Sequence, residues 1–319
     1  MTRVLVTGVS GFVGSALTPV LEQAGCEVVA AVRTLDAPVA GNAKKVRIGT
    51  IGPQTDWSEA LRGVAAVVHL AAMVHVREGE GELEMFRAVN VAGTEHLARA
   101  AREAGARRFV FLSSIGVHGG HTIGRPFDES SPVAPHTAYV RSKAEAEQAL
   151  RQVSSQDGLE TVVLRPPLVY GPGNPGNLTR LLRLIDSGIP LPFGSIRNRR
   201  SLIFSRNLAH CIAACITHPA AAGRTFVVRD GEDISTPELI SRLAYELGRP
   251  SRLFPFPVLL LRIGSRLVGR HRDLDRLISD LVVDDSAIRR TLDWFPPYTL
   301  DQGLSVTATW WRNRDRSRR

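Results

Sequence analysis

An α/β fold built on a doubly wound parallel sheet is what this sequence predicts, and three observations carry the prediction. Short β-rich runs alternate with Ala-rich helical patterns through the first half of the chain, the signature of a parallel sheet covered by helices. The first run leads at once into the glycine-rich stretch Thr7-Gly8-Val9-Ser10-Gly11-Phe12-Val13-Gly14, which places a tight turn between a strand and a helix. After Arg165 the rhythm breaks. Pro166-Pro167, the stretch from Gly171 to Asn177 and Pro190-Leu191-Pro192 divide the chain into loops and shorter elements.

Taken in order, Val4–Val6, Val28–Val32, Val67–Leu70, Phe109–Leu112 and Val162–Leu164 read as strands, because they are short, apolar and rich in β-branched residues. Between them, Ser15 to Ala24, Trp57 to Leu61, Met85 to Ala104 and Tyr139 to Val153 read as helices. Residues 1–165 are thus expected to form a dinucleotide-binding Rossmann-type domain. Residues 166–311 form mainly a smaller C-terminal α/β substrate-binding region, part of which, near 200–230, returns to the first domain. Residues 312–319 are a basic tail, expected to be solvated and disordered.

The chain of 319 residues is 44% hydrophobic and 22% charged, which is enough apolar content for a large core. Val4-Leu5-Val6 is too brief, and too soon broken by glycine, to be a signal peptide or an anchor, so a cytoplasmic location is expected. Phe254 to Gly269 is apolar but interrupted by Pro257 and Arg262, too short to span a bilayer. It reads as a buried or interfacial helix, with peripheral membrane contact as the alternative. Cys26, Cys211 and Cys215 are odd in number and lack zinc-ligand spacing. They read as small core residues, and no metal is expected.

The net charge is +9, but part of the excess lies in the run from Arg312 to Arg319. Elsewhere the basic residues are scattered, with no interleaved aromatic platform for bases. Nucleic acid is therefore not an expected partner. A small anionic substrate such as a diphosphate accounts for the charge instead.

Three motifs carry chemistry. In the Thr7–Gly14 loop, glycine lets the backbone approach a pyrophosphate whose charge rests against the helix N-terminus. Gly8, Ser10, Gly11, Phe12, Val13 and Gly14 are the cofactor candidates there. The second strand ends at Arg33, where an acidic residue would select NAD; a guanidinium meets a 2′-phosphate instead and favours NADP(H) over NAD(H), with Asp36 close by as a rival ribose ligand. In Tyr139-Val140-Arg141-Ser142-Lys143, a phenol and an ammonium four residues apart share one helix face, and the cation favours the phenolate. Ser113 and Ser114 end a strand at the carboxyl edge of the sheet, where open α/β folds bind ligands. Together Ser114, Tyr139 and Lys143 can move a proton to or from a carbinol oxygen while a nicotinamide exchanges hydride.

With these motifs the chain resembles the extended short-chain dehydrogenase/reductase superfamily, also called the NAD-dependent epimerase/dehydratase group. Thr7 to Gly14 matches its TGxxGxxG loop, His69-Leu70-Ala71-Ala72 its segment after the fourth strand, Asn90-Val91-Ala92-Gly93-Thr94 its helix-four asparagine and Tyr139 to Lys143 its YxxxK. The resemblance implies that Ser114 and Tyr139 engage the reacting oxygen and that Lys143 holds the nicotinamide ribose. It also puts Leu70, Ala71, Ala72, Asn90, Ser113 and Pro166 around NAD(P)(H), and a homodimer follows by analogy.

A narrower resemblance lies in Thr55-Asp56-Trp57, Arg165 to Gly173, Asn198 to Leu202 and Asp230 to Pro237. These are similar to a bacterial subgroup labelled UDP-glucose 4-epimerase, which includes 4-ketoreductases that form UDP-N-acetylquinovosamine. By that likeness Asn177 and Arg200 bind the diphosphate of a UDP-sugar and the Pro190–Gly194 loop packs on uracil; His118, just beyond Ser114, is a further candidate to line the sugar. Thr50 and Leu168 depart from the pattern, at an adenine-side acidic position and at the galactose epimerases' asparagine. Arg33 and Leu168 favour a 4-ketoreductase of a UDP-4-keto-6-deoxy-N-acetylhexosamine, with a UDP-sugar 4-epimerase as the alternative. A non-catalytic dinucleotide sensor is the reading from another class, and the intact Ser114, Tyr139 and Lys143 speak against it.

Overall fold

A computed structural model describes residues 1–74, 81–154, 158–267, 269 and 271–316 of the chain. Its strands are β1 (Arg3–Thr7), β2 (Glu27–Val32), β3 (Lys44–Arg47), β4 (Ala66–His69), β5 (Arg108–Leu112), β6 (Glu160–Arg165), β7 (Leu168–Tyr170), β8 (Arg200–Phe204), β9 (Thr225–Val227) and β10 (Asp233–Ile234). The helices are α1 (Phe12–Gln23), α2 (Glu82–Phe86), α3 (Gly93–Glu103), α4 (Ala138–Ser154), α5 (Asn177–Asp186), α6 (Ser205–Thr217), α7 (Thr236–Glu246), α8 (Val258–Leu267), α9 (His271–Ile278), α10 (Ser286–Leu292) and α11 (Leu300–Arg316).

Seven strands form one sheet in the order β3-β2-β1-β4-β5-β6-β9, and every pairing in it is parallel. The period of two along each strand sorts its residues between two cores. Val4, Val6, Val28, Ala30, Val68 and Val110 face α1 and α6, packing with Leu17, Leu21, Leu208 and Ile212. Leu5, Val29, Val67 and Phe109 face α3 and α4, with Leu97, Ala101, Ala146 and Leu150. The chain winds from β1 outward to β3, then crosses back to place β4 on the other side of β1. That reversal opens a crevice at the carboxyl ends of β1 and β4.

The remaining strands make a second, three-stranded sheet in the order β10-β8-β7, over a separate core of Tyr170, Phe204, Leu243 and Leu304. The Tyr170 hydroxyl donates to Asp230 Oδ2 at 2.7 Å, and Asp230 also accepts from the Phe204 amide and from Asn207 Nδ2. Burial pushes the Asp230 carboxyl up to about 6. After β8, α6 packs on α1, and β9 joins the large sheet beside β6.

Several expectations are corrected. The edge strand β3 was not anticipated, because Val46 is its one buried residue and it has no apolar run. Residues 57–61 form a turn, closed by the Leu61 amide on the Trp57 carbonyl at 2.9 Å, rather than a helix. The stretch expected as one helix from Met85 to Ala104 begins three residues earlier and contains a π-helical turn, Arg87–Ala92, between α2 and α3. The basic tail is not wholly disordered: α11 continues to Arg316, and the Arg314 guanidinium lies 5.6 and 5.5 Å from the ring centres of Trp310 and Trp311. Finally, α8 has no buried residue, so the Phe254–Gly269 segment is not a core helix. Among the described residues no helix is long and apolar enough to cross a membrane. Cys26, Cys211 and Cys215 are free and buried, as small core residues should be.

Candidate active site

The glycine-rich turn sits at the carboxyl end of β1 and opens α1. Gly8 has φ of 69°, and a Cβ there would lie 2.7 Å from the Ala71 amide nitrogen, so a side chain would push apart the ends of β1 and β4. Gly11 caps α1 without a side chain, and the first turn, which begins with Phe12 and Val13, holds no acidic residue. Backbone N–H groups there stay open to an anion. A dinucleotide pyrophosphate fits this cradle. Ser10 is exposed, and Leu70, Ala71 and Ala72 follow β4 directly across the crevice.

A chain of buried hydrogen bonds fixes that crevice. The Ala71 amide donates to Thr7 Oγ1, which lies 2.7 Å from His69 Nδ1; His69 Nε2 lies 3.0 Å from Thr94 Oγ1, and Thr94 donates to the Asn90 carbonyl. Because Thr94 spends its proton on Asn90, His69 donates from Nε2, and in the neutral ring Nδ1 then accepts from the Thr7 hydroxyl. Asn90, in the π-helical turn, donates to Ser142 Oγ and to the Met73 carbonyl, and accepts from the Met73 amide. The widened turn thus aims Asn90 at both the segment after β4 and the helix that carries Tyr139 and Lys143.

Burial, followed by the charge of Lys143, drives the His69 pKa down to about 3. An unfolded histidine titrates near 6.5, so between those values the unfolded chain binds a proton that the folded chain refuses, and stability falls with acid. At pH 5 the loss is about 2 kcal/mol. Urea unfolding at pH 7 and pH 5 should therefore show wild type losing about that much more than His69→Gln; equal losses in the two proteins would contradict the assignment.

Tyr139 and Lys143 lie on α4, one turn apart. Lys143 is 2% exposed, and its Nζ stands 4.3 Å from the centre of the Phe111 ring. Tyr139 is half-buried, edge-on to Phe86 at 6.1 Å. Burial pushes the Tyr139 phenol up to about 12 and the Lys143 ammonium down to about 7. This departs from the expected phenolate. Desolvation outweighs the neighbouring cation in the folded chain, and Tyr139 holds its proton at neutral pH.

Ser114 follows β5, and its Oγ accepts from the Gly116 amide at 3.1 Å. A Cβ on Gly116 would stand 2.7 Å from Val140 Cγ1. This close approach seats the Ser114 turn directly on the first turn of α4, beside Tyr139.

Two expected site residues prove to be otherwise engaged. Ser113 donates to Glu147 Oε1 at 2.5 Å, and its amide donates to the Leu164 carbonyl, so its hydroxyl has no proton left for a cofactor. His118 is 4% exposed; its Nδ1 lies 3.1 Å from the Pro132 carbonyl and its Nε2 2.9 Å from Arg165 Nη1. Arg165 can only donate, so both ring nitrogens are spent and neither remains for a sugar hydroxyl. The ring stacks on Phe127 at the wall of a cavity of about 790 Å³ shared with His121 and His136.

Arg33 follows β2 and is exposed. Pro166 accepts from the Ile115 amide at 3.0 Å, tying the end of β6 to the turn after Ser114. Arg200 opens β8 and donates to the Ser279 carbonyl at 3.1 Å; burial and the nearby Arg276 guanidinium hold its pKa below the usual arginine range. Arg276, on α9, was not anticipated. No sequence motif marks it, and only the fold brings it near Arg200 and His136. Asn177 opens α5, and its side chain lies outside the described residues.

This arrangement has clear relatives. A UDP-glucose 4-epimerase of Vibrio cholerae is 41% identical over 310 residues, 96% of this chain and 94% of its own. The N-acetyl-alpha-D-glucosaminyl-diphospho-ditrans,octacis-undecaprenol 4-epimerase of Escherichia coli O157:H7 is 28% identical over 320 residues, 96% of this chain and 94% of its own. The crystal structure of a short-chain dehydrogenase/reductase superfamily protein from Agrobacterium tumefaciens with bound NAD superposes with a TM-score of 0.76 at 25% identity, covering 99% of this chain and 100% of that one. Residues 4–228, from the first strand through the edge strand β9, match the model of the NAD dependent epimerase/dehydratase family. The match runs from the turn at Gly8 through the Tyr139–Lys143 helix to the end of the parallel sheet, and the chain belongs to that family within the short-chain dehydrogenase/reductase superfamily.

Proposed function

We propose that the chain interconverts C4 epimers of a UDP-linked hexose or N-acetylhexosamine. The observation that carries this reading is the seating of the Ser114 turn against Val140 in the first turn of α4, the turn that also carries Tyr139. The kinship over 96% of the chain with a relative bearing the name of a 4-epimerase supports it.

Ser114 and Tyr139 hydrogen-bond the C4 oxygen. Tyr139, protonated at neutral pH, supplies its proton to a C4 carbonyl and takes one back from a C4 hydroxyl. Lys143 orients the nicotinamide ribose, and its partial charge near neutrality helps Tyr139 to release its proton. A bound nicotinamide supplies hydride exchange with C4, and Gly8, Gly11 and the segment from Leu70 to Ala72 hold its dinucleotide. Arg200 and Arg276 present two guanidinium groups to the diphosphate.

A second reading, a 4-ketoreductase using NADP(H), is favoured by the exposed Arg33 after β2 and by Leu168, 38% exposed on β7. One assay separates the two. Purified protein is given UDP-glucose or UDP-N-acetylglucosamine and the C4 epimer is sought by NMR; in parallel it is given a UDP-4-keto-6-deoxy-N-acetylhexosamine with NADPH or NADH, and absorbance is followed. Epimer formed without net cofactor consumption is the expected result. Stoichiometric loss of NADPH absorbance would install the reductase, and failure of both would remove C4 chemistry on UDP-sugars.

A further inference from the structure

We propose that α8 docks the protein onto an anionic membrane surface. This helix turns an apolar stripe to solvent. Leu259, Ile263 and Leu267, spaced by four, and the adjoining Leu260 are 69, 48, 83 and 51% exposed. Spacing by four puts these side chains on one face. The opposite face, with Val258, Leu261 and Ser265, is the one turned partly inward. The helix is therefore amphipathic in the wrong sense for a solvated surface: its outward side is its greasy one.

Charge says what covers it. Arg262 and Arg266, both exposed, stand one turn apart at the border of the stripe. The sequence from Arg249 to Arg272 carries six arginines and no aspartate or glutamate before Asp273; of the six, Arg249 is paired with Asp186 at 3.0 Å. An apolar face edged with arginine is the pattern of a helix that lies in the interface of a bilayer rich in anionic lipid, with leucines at the acyl boundary and guanidinium groups among the headgroups.

A second copy of the chain is the rival occupant, and the same charges oppose it. In a two-fold contact, each α8 would meet its own image, so Arg262 and Arg266 would approach like charges, and α8 itself carries no acidic residue to pair them. The stripe is also small. Ten residues make a helix about 15 Å long, whose outward face is a fraction of the roughly 800 Å² per partner of a stable interface.

The position of the helix gives docking a consequence. The segment before it pairs with the Pro190–Gly194 loop, through Leu253 beside Leu191 and the Gly194 amide on the Phe254 carbonyl at 3.0 Å. The helix after it, α9, contacts α8 and carries Arg276 beside Arg200. Docking would hold the substrate region close to the lipid headgroups. The inference itself rests on α8 alone and is independent of which reaction the crevice performs.

The test is flotation of the full chain with vesicles of phosphatidylglycerol and phosphatidylcholine, against vesicles of phosphatidylcholine alone, for wild type, for Leu259→Ser/Ile263→Ser/Leu267→Ser and for Arg262→Ala/Arg266→Ala. Wild type should float with the anionic vesicles and at least tenfold less with the neutral ones. Both variants should lose at least tenfold in anionic binding while keeping the circular dichroism spectrum and thermal midpoint of wild type, because they change exposed side chains. Binding that is absent in wild type, or unchanged in the serine variant, would overturn the proposal. A dimer in sedimentation that falls to monomer only in the serine variant would also overturn it, and would assign the stripe to a second copy. Vesicle binding needs no turnover, so its failure stays distinct from failure of the C4 chemistry.

Discussion

Tyr139→Phe is expected to lower turnover by about 10²- to 10⁴-fold, the usual share of a positioned acid–base group, while leaving fold and cofactor binding in place. The phenyl ring keeps its edge-on contact with Phe86, so the substitution removes one hydroxyl and nothing that packs. Ser114 retains its turn, because its Oγ is held by the Gly116 amide rather than by Tyr139. What is lost is the group that moves the proton at C4. The phenol is held up at about 12 by burial, so in the direction that reduces C4 it arrives already loaded with its proton. In the direction that oxidises C4 it must first shed that proton, and the buried ammonium of Lys143 is the group positioned to help. Lys143→Met should therefore weaken the oxidising direction more than the reducing one, and should also weaken dinucleotide affinity, which Tyr139→Phe should not. Single-turnover absorbance of the bound nicotinamide, after a UDP-sugar is added to the oxidised holoenzyme or a UDP-4-keto sugar to the reduced one, with a fluorescence titration of the dinucleotide, makes the comparison. A Tyr139→Phe protein within twofold of wild type would end the assignment of Tyr139 as the proton-transfer group.

Much of this was legible in the sequence, and the parts that were not have a common cause. The five buried strands and the helices opening near Phe12 and Ala138 announce themselves, because a strand buried on both faces must be apolar throughout and a glycine-rich turn must sit where β1 meets α1. β3 was silent because an edge strand with one buried residue has no pattern to show. The turn at 57–61 misleads because Trp57, Ala60 and Leu61 are buried at helical spacing while covering the sheet from a loop. At the candidate site, Tyr139, Lys143, Ser114 and the turn at Gly8 stand out in the sequence because each belongs to a local motif. Arg276 could not, since its nearness to Arg200 is made by the fold across 76 residues of sequence, 276 minus 200. The engagement of Ser113 and His118 could not be read for the related reason that their partners, Glu147 and Arg165, lie far along the chain. A motif shows which polar group is present, and tertiary structure decides whether that group is still available.

Those two partners carry the second large effect. Arg165→Met is expected to cost about 3–5 kcal/mol of stability, the range for removing one member of a buried ion pair. Arg165 is 4% and Glu147 1% exposed. The guanidinium donates Nε to Glu147 Oε1 at 3.0 Å, Nη2 to Oε2 at 2.5 Å and Nη1 to His118 Nε2 at 2.9 Å. Without it the carboxylate keeps the Ser113 hydroxyl and the mostly exposed Arg151 at 3.8 Å, too little to replace a bidentate pair, and His118 loses the donor at Nε2. The damage also bears on the chemistry. Glu147 is on α4 four residues beyond Lys143 and eight beyond Tyr139, so all three share one face. The pair bolts that face to the end of β6, while Ser113 bolts it to the end of β5, next to Ser114. A double-mutant cycle with Glu147→Gln separates the two roles. If the pair acts as a unit, the double variant should be less destabilised than the two single losses added together, because each single variant strands a buried charge that the double variant removes. Turnover, by contrast, should fall in all three variants even at temperatures where each is fully folded, since the anchor of α4 is missing in each. Urea unfolding gives the first quantity and kcat at low temperature the second. A single-variant loss below about 1 kcal/mol, the scale of a surface ion pair, would mean that water reaches the pair and that the position of α4 is set elsewhere.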